Sequence, residues 1–530
     1  MERPPAAGQD SAGPEFDVVL LGGHLVTGLL ATVLARAGQR VALVVDPSAP
    51  TPTGGETTVP YTAEMFALLG ARFGLEEISA LGRFDTVPAQ LRGAGSAKRC
   101  LSFAQHTAGG TASEDLQFVV PSEHSEWQLN RTALDGWSVD LARRHGATVV
   151  TGQPLATPVR RGAGWRVPLG RTSVTGSFLI DSTGRHDSGW SDALGVTWQP
   201  DRGGLAVMRG HVPASIGAGG PSVPAALPWA EGTTLHGTAD GVVELAAIGG
   251  APAGTRLTSV SLALRPGAAP EAPGLALRRL AHRYPSLAPH LSGLGAAGSW
   301  CETAVTGHCV PPVDAPLLLL ERSAHTAPFA LSRDITCGLE LVYAVGVAFV
   351  GAFRTGQPVE VARLAALQRD LLAAHTRWAD AAVRCAGDWP RWNALLRLWL
   401  LWTIMSSLSV KSARLRAAAP GGWSALDARL ADRHWYQPPR SLVSVVDDGL
   451  CLLTSEDAEL APEEAASAVL TRLGCERVVP PLFDFADPEA RSYRFTMARR
   501  LRMLVWAKFS ARREFADLLT TDNVTGLARR

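Results

Sequence analysis

The pattern of apolar and polar positions changes along the chain and predicts elements of three kinds. Residues 17–46 read as a short apolar run, a glycine-containing turn, a helical period and a second apolar run. This order predicts a βαβ unit, which is a building block of a parallel sheet. Residues 203–265 alternate apolar and polar positions between glycine breaks, as the strands of an antiparallel sheet do. From about residue 360 the pattern has a helical period and many tryptophans.

Shorter segments add elements between these regions. Residues 54–75 begin with a glycine-rich turn and continue as an amphipathic helix. Asn130 or Thr132 can start a helix that runs to Arg144, because both residue types favour the N-cap position. Residues 178–189 predict a buried strand followed by a turn that contains glycine. The order of elements is therefore that of strand–helix units around an inserted sheet.

These elements predict an α/β fold with a discontinuous nucleotide-binding domain. Residues 16–200 and 300–365 belong to this Rossmann-like domain in our interpretation, and residues 200–300 to an inserted antiparallel β-sheet substrate domain. Residues 366–530 are expected to form a mostly helical C-terminal region. Residues 1–15 are polar, rich in proline and glycine, and lack an apolar run, so we interpret them as a disordered leader and not a signal peptide. The two sheets should meet at a cleft, where substrates commonly bind.

The composition disfavours several classes of function. A chain of 530 residues with 46% hydrophobic residues can bury a large core in two or three domains. Its net charge of +1 favours neither a nucleic acid nor an anionic membrane as a partner. The most apolar stretch, Leu398 to Val410, is too short to cross a bilayer, so we expect a cytoplasmic protein. The seven cysteines include no C-x-x-C pair and no zinc-like spacing, so we predict no metal site.

The turn of the βαβ unit departs from the G-x-G-x-x-G fingerprint of dinucleotide-binding folds. Gly22 keeps the first position, whereas His24 and Thr27 occupy the second and third. In the intact fingerprint the second glycine lets the backbone approach a pyrophosphate, and the third lets the helix pack closely. A register that starts one residue later keeps Gly23 and Gly28. His24 then either contacts a phosphate or marks a relaxed requirement for glycine, so the fold is predicted and the cofactor stays open.

Further motifs follow in a regular order: GETTVP at 55–60, NRTALD with Arg131 and Asp135, and IDSTG with Asp181. Their order and spacing resemble the flavin-dependent halogenases and the related FAD-dependent monooxygenases built like p-hydroxybenzoate hydroxylase. The resemblance covers about residues 16–410. It implies an FAD-binding Rossmann-like domain of the hydroxylase/halogenase type, with FAD as the cofactor. It also implies cofactor contacts at a set of positions: Gly22, Gly23, Gly28, Asp46, Arg131, Asp181 and Gly184.

The chain lacks two residue patterns of the halogenases that it resembles. Those enzymes carry a lysine four residues after the proline of the G-E-x-T-x-P turn, where it holds or forms the chlorinating species. Glu64 stands four residues after Pro60 in this chain, and a carboxylate cannot take that part. The halogenase motif W-x-W-x-I-P should follow an Asp-Gly pair, but Val242 and Glu244 stand where its tryptophans would be. The resemblance therefore disfavours halogenation.

Two cofactor-facing positions also differ from the family pattern. Related chains read approximately H-T-x-G-F-x-D-P before a flavin-contacting turn, whereas HTAPFALS at 325–332 places Leu331 and Ser332 at the Asp-Pro pair. The ribose-binding acid lies one residue later than usual, at Asp46. Since a strand alternates its faces, this shift turns the carboxylate away from the ribose unless Asp46 lies beyond the strand end.

Two carboxylates are candidates for acid–base catalysis in the cleft. Glu64 can act there if it is buried, although the neighbouring apolar stripe would also form with Glu64 in solvent. Glu244 replaces an aromatic residue on a strand that should face the cleft, and a surface position fits the pattern equally well. The tryptophans between residues 378 and 402 form either an aromatic wall for a substrate or a packed core.

Three functions remain open for such a chain. The first is an FAD-dependent hydroxylase or oxidase of natural-product biosynthesis, which acts on a free or carrier-tethered hydrophobic small molecule and works with a flavin reductase. The second is a redox-neutral enzyme, such as a cyclase, that uses Glu64 or Glu244 as acid or base on a degenerate flavoprotein scaffold. The third is a non-catalytic binding relative. We expect no nucleic acid and no membrane as a partner in any of them.

Overall fold

The computed structural model describes residues 15–509 with internal gaps. The gaps are 47–54, 121–125, 250–256, 266–271, 295–298, 327–330, 431–439 and 456–459, together with shorter ones of one to three residues. The expected leader, residues 1–15, lies outside the described residues except for its last position. The described part has the predicted fold class, with a mainly parallel sheet between helices, an inserted β-sheet and a helical C-terminal region.

The strands of the described residues form two large sheets and two small ones. The strands in the first part of the chain are β1 Phe16–Leu21, β2 Val41–Val45, β3 Gly95–Lys98, β4 Cys100–His106, β5 Ser113–Val119, β6 Glu126–Leu129, β7 Thr148–Thr151, β8 Val159–Arg161, β9 Gly164–Leu169 and β10 Thr172–Asp181. Those that follow are β11 Thr197–Pro200, β12 Ala206–Val212, β13 Gly232–Thr238, β14 Gly241–Ile248, β15 Leu257–Leu264, β16 Ser299–Thr303, β17 Gly307–Val310, β18 Leu317–Leu319, β19 His325–Thr326 and β20 Ser492–Tyr493.

The helices dominate the second half of the chain. In chain order they are α1 Leu25–Arg36, α2 Pro60–Phe73, α3 Glu76–Ala80, α4 Ala89–Arg92, α5 Arg131–Arg144, α6 Ser188–Leu194, α7 Pro273–Arg283, α8 Ala288–Leu291, α9 Glu321–Ala324, α10 Arg333–Thr355, α11 Val361–Cys385, α12 Trp389–Ala417, α13 Gly422–Leu430, α14 Arg440–Thr454, α15 Pro462–Cys475 and α16 Met497–Phe509. Asn130 caps α5, since its side chain accepts a hydrogen bond from the Ala133 amide at 3.3 Å. The expected helix from Asn130 to Arg144 is therefore confirmed.

The first large sheet has the strand order β7-β2-β1-β10-β9-β8, with β18 beside β10. The strands β7, β2, β1, β10 and β18 run parallel to their neighbours in this part of the sheet. Successive residues of β1 belong to different apolar clusters, with Val18 in the main core and Val19 in a second one. Both faces of the sheet are therefore covered, as expected for parallel strands.

The second large sheet has the order β16-β12-β15-β14-β13-β4-β5-β20. Strands β12 to β16 come from the expected inserted domain, while β4, β5 and β20 join from outside it. Val243 of β14 packs in a cluster with the residues of α7, whereas Val242 faces the main core. We call the face that contains Val242 the inner face, because it is turned toward the rest of the molecule.

Helices α11 and α12 supply much of the main core. Four tryptophans are buried there, namely Trp378, Trp392, Trp399 and Trp402. Of the two possibilities for this segment, a substrate-facing wall or a packed core, the structure shows the packed core. Two helices of the described chain, Ile335–Thr355 and Trp389–Ala417, are long and apolar enough to cross a membrane by length and composition alone. However, 67% and 83% of their most apolar windows are buried inside the protein. Because core helices pass the same test, these helices are weak support for a membrane span.

Candidate active site

Four parallel strands end at one edge of the first sheet and define a crevice there. β1 leads into Gly22, β2 into Asp46, β10 ends at Asp181, and β18 is followed within two residues by Glu321. In open α/β sheets, ligands bind in the crevice outside the carboxyl ends of the strands. We call this edge the strand-end crevice.

The glycines of the first turn are used for the turn itself and for packing. Gly22 has a φ of +112°, a backbone conformation that favours glycine. A Cβ on Gly23 would lie 2.6 Å from Cγ1 of Val45, and one on Gly28 would lie 2.7 Å from Cβ of Ser138 in α5. Thr27 replaces the third glycine of the fingerprint and donates a hydrogen bond to the Gly22 carbonyl at 2.7 Å. The tight strand–turn–helix geometry therefore survives the loss of two glycines.

His24 and Asp135 face each other at the N-terminus of α1. The Asp135 Oδ1 atom accepts a hydrogen bond from the Leu25 amide at 2.7 Å, and its Oδ2 lies 3.8 Å from Nδ1 of His24. Both side chains are buried, and His24 Nδ1 and Asp135 Oδ2 have no hydrogen-bond partner among the described residues. Burial opposes ionisation of Asp135, but Arg131 and His24 hold its pKa below the usual value.

A buried arginine links α5 to the end of β18. The Arg131 guanidinium donates to Asp135 at 2.7 Å and to Glu321 Oε1 at 3.1 Å. Ser182, next to the end of β10, donates to the other oxygen of Glu321 at 2.9 Å. Burial alone would lower the pKa of Arg131, but the two carboxylates raise it above its ordinary value. Glu321 was not among the residues predicted from the sequence. The feature that could have indicated it is a carboxylate that follows the apolar run of β18.

The remaining cofactor candidates lie at the same edge. Asp46 follows β2 and is half-buried, so it lies just beyond the strand end. Asp181 is buried, and its oxygens accept hydrogen bonds from the Trp190 indole at 3.0 Å and the Thr183 amide at 2.9 Å. Burial raises the pKa of Asp181. Gly184 turns with a φ of +69° beside Arg322. A part in cofactor binding stays a prediction for each of them.

The two catalytic candidates lie on different elements. Glu64 lies on α2 and forms an ion pair with Arg414 of α12, with an N–O distance of 3.0 Å. Glu244 lies on β14, directly across from Leu235 of β13 and Ser261 of β15. Because Val242, two residues earlier, faces the main core, Glu244 shares the inner face of the second sheet. Catalysis by either carboxylate stays a prediction.

A buried polar group joins the GETTVP turn to the inner face. Glu56 Oε1 lies 2.6 Å from Nε2 of His211 on β12, and Ser259 of β15 donates to Oε2 at 2.9 Å. Burial lowers the pKa of His211, but the Glu56 carboxylate more than reverses this and leaves it raised. These contacts fix the turn against the sheet. The GETTVP motif alone gives no indication of this partner on β12.

A second polar contact at this turn involves a buried lysine. Lys98 is fully buried; its ammonium donates to the Thr58 carbonyl at 2.5 Å and pairs with Glu126 at 3.1 Å. Burial raises the pKa of Glu126, although Lys98 opposes the rise. Together with the Glu56 contacts, this pair holds the segment before α2 in a single position.

A cavity of about 270 Å³ lies beside the end of β18. Leu319 of β18 and Ala324 of α9 form part of its wall, α11 forms another part, and β17 contributes His308. Its polar wall residues include Asp201, whose Oδ1 lies 3.5 Å from Nδ1 of His308. Residues 327–330 and Ser332, which belong to the segment matched to the H-T-x-G-F-x-D-P pattern, lie outside the described residues.

Comparisons with known proteins agree with this architecture, although no family model matches the chain. Tetracycline 7-halogenase from Kitasatospora aureofaciens is 24% identical over 95% of both chains. Monodechloroaminopyrrolnitrin halogenase PrnC from Pseudomonas fluorescens is 22% identical over 96% of this chain and 94% of its own. The crystal structure of the halogenase PltM in complex with phloroglucinol and FAD superposes with a TM-score of 0.80 at 19% identity, covering 91% of this chain and all of that one.

The fold is thus that of the FAD-binding enzymes of the hydroxylase/halogenase type. The chain is similar along most of its length to flavin-dependent halogenases, as its motifs indicated. It differs from the halogenase patterns at two positions, where Glu64 and Glu244 stand in place of the lysine and a tryptophan.

Proposed function

We propose that this protein is an FAD-dependent oxidoreductase, a hydroxylase or oxidase, that acts on a hydrophobic intermediate of natural-product biosynthesis without halogenating it. The observation that carries the proposal is the ion pair of Glu64 with Arg414 at 3.0 Å. The position that would need a free ammonium group holds a carboxylate, and that carboxylate is bound to an arginine of another helix. Such a pair can neither hold hypohalous acid as an ammonium does nor form a haloamine.

The strand-end crevice suits FAD in two respects. Carboxylates, which can accept hydrogen bonds from sugar hydroxyls, stand at Asp46 and Glu321, whose side chains are only partly buried. Nδ1 of His24, a buried atom with no hydrogen-bond partner in the part of the chain that the structure describes, marks the N-terminus of α1, where a helix attracts anions. In the proposal, α1 and His24 hold the pyrophosphate, Asp46 holds a ribose, and Glu321, fixed by Arg131, holds the ribityl chain. Bound FAD would supply electron transfer and oxygen activation.

The protein's own residues would orient the substrate and exclude water. The inner face of the second sheet, with Glu244, and the cavity beside β18 are the surfaces on which a substrate would lie. A flavin reductase would supply reduced cofactor, and the substrate would be free or tethered to a carrier protein. The cytoplasm is the compartment that we propose for this activity.

The first experiment is a titration of the purified protein with FAD, followed by oxygen uptake with reduced flavin. We expect a shifted flavin absorption spectrum that survives removal of free FAD, and oxygen consumption with no chlorination of a 1,3-diketone reporter in the presence of chloride. A protein that never retains FAD would refute the oxidoreductase proposal. A chlorinated reporter would refute the part of the proposal that excludes halogenation.

One observation favours a second candidate, a redox-neutral enzyme such as a cyclase. Arg131, a buried cation near the N-terminus of α1, is already bound by Asp135 and Glu321, and Asp135 also accepts from the α1 amide of Leu25. A pyrophosphate at this point would meet two carboxylates. The FAD titration separates the two candidates, because only the redox-neutral enzyme would turn over a substrate without retaining FAD.

A further inference from the structure

The cavity beside β18 of the first large sheet is also lined by residues of the small sheet β11-β17-β19 and of helix α11. Helix α11, which forms one of its walls, packs against β18 of the first sheet and against β14 of the second. Leu319 and Ala324, on either side of Glu321, form another wall. The cavity therefore opens next to the strand-end crevice, where a substrate and a bound cofactor would have to meet.

The size and lining of this cavity suit a small hydrophobic ring system. Its volume is about 270 Å³. An apolar cavity of roughly 150 Å³ in another protein holds a benzene molecule, so one or two rings fit here. Much of the wall is apolar, with Leu319 and Ala324 opposite Ala365, Leu372 and Ala373 of α11.

Polar groups with a defined arrangement interrupt this apolar wall. His308 turns its Nδ1 toward the Asp201 carboxylate at 3.5 Å, which leaves Nε2 on the opposite side of the ring. The two side chains are 44% and 36% exposed, so a ligand can reach them. Arg369 of α11 adds a guanidinium to the same cavity. A carboxylate behind an imidazole stabilises the imidazolium that forms when the other nitrogen takes a proton.

We propose that this cavity binds a hydrophobic molecule that carries an acidic hydroxyl group, and that His308, held by Asp201, removes the proton of that hydroxyl. The O–H bond of the ligand breaks, its electron pair stays on the oxygen, and the proton forms an N–H bond at Nε2 of His308. The Arg369 guanidinium pairs with the resulting oxyanion. The step is redox-neutral and needs no co-reactant; its place before an oxidation rests on the proposed function.

The test uses 4-nitrophenol as a probe, because its phenolate is yellow and its phenol is not. The full-length protein is titrated at a pH about one unit below the pKa of the free phenol, where most free probe is protonated. We expect the wild-type protein to bind the probe as the phenolate, which is seen as the yellow absorption band. His308→Gln should weaken binding about tenfold and remove the band, since a charge-assisted hydrogen bond is lost. His282→Gln, a change of an exposed histidine on α7, should leave both unchanged.

A second variant tests the location of the probe. Ala373 is exposed in the cavity wall, so Ala373→Trp should fill the cavity without disturbing the core. We expect this variant to keep the wild-type thermal unfolding curve and to lose probe binding. A phenolate band that persists in His308→Gln, or binding that Ala373→Trp leaves intact, would overturn the inference. Because no flavin is present in these titrations, failure to retain FAD would refute the proposed function alone.

Discussion

At the scale of single residues, the chain departs from the halogenase motif at Glu64, whose partner lies far away in the sequence. Glu64 and Arg414 are 350 positions apart, yet they form an ion pair between α2 and α12. Their side chains are 21% and 25% exposed, so the pair itself contributes little to stability. Its consequence is chemical, because it fixes a carboxylate and an arginine where the related halogenases place a lysine.

The substitution Glu64→Lys should not create a halogenase. The new ammonium group would face Arg414, and Val242 and Glu244 would still replace the tryptophans of the second halogenase pattern. Chlorination of a 1,3-diketone reporter with reduced flavin, oxygen and chloride is the measurement, read by mass spectrometry. Glu64→Gln is the matched control, since it removes the charge without adding an amine. Chlorinated product from the lysine variant alone would contradict this interpretation.

The position of Asp46 makes a second residue-scale prediction. The carboxylate lies just past the end of β2, where a one-residue shift need not turn it away from a ribose. If the protein binds FAD, Asp46→Ala should weaken binding by about 1–2 kcal/mol, the value of one charge-assisted hydrogen bond. Asp192→Ala, at an exposed position on α6, serves as the control in the same fluorescence titration. Equal dissociation constants for the two variants would place Asp46 away from the ribose.

Single residues also show where prediction from sequence ends. The turn at Gly22 and the capping of α5 by Asn130 follow from local pattern, and both are present. The contact of Glu321 with Arg131 does not follow from local pattern, because it depends on β18 lying beside β10 in the sheet. The His308–Asp201 pair likewise requires β17 to pair with β11, which no local period specifies.

At the scale of elements, close packing of α1 against α5 explains why a glycine persists in a degraded fingerprint. A Cβ on Gly28 would overlap Ser138 Oγ and would lie 2.8 Å from the Ser138 carbonyl carbon. Backbone atoms cannot move aside as a flexible side chain can. The helices therefore need glycine at this point whether or not a cofactor is bound.

The substitution Gly28→Ala should lower the free energy of unfolding by about 1–3 kcal/mol, the usual cost of overpacking a core. The matched control is Gly136→Ala in α5, where a Cβ would meet no atom within 4 Å. That variant should stabilise the protein by about 0.5–1 kcal/mol, because alanine is the better helix former. Urea unfolding followed by circular dichroism measures both. Equal stability of the two variants would show that α1 can move away from α5.

At the scale of the whole molecule, the buried and half-buried histidines have opposite effects on stability in acid. His106 and His236, whose rings are joined by a 3.0 Å contact, lie with His290 near Trp229 on the outer side of the second sheet. Burial lowers the pKa of His106 to about 3 and also lowers the pKa values of His236 and His290. On the inner side, Glu56 leaves the pKa of His211 raised.

These directions predict that the protein loses stability in mild acid. Below about pH 6.5 the unfolded chain protonates its histidines, whereas burial opposes protonation of the three outer ones in the folded chain, so each one lowers the free energy of unfolding by up to about 1.4 kcal/mol per pH unit. His211 acts in the opposite sense: its contribution is complete below about pH 6.5 and is lost as the pH rises through its folded pKa. Burial also lowers the pKa of His186, so four histidines oppose His211 and urea midpoints should fall between about pH 7 and pH 5. His290→Phe should reduce the dependence of the urea midpoint on pH, and His282→Gln should leave it unchanged. Equal slopes of midpoint against pH in the two variants would show that the outer histidines do not cause the loss of stability in acid.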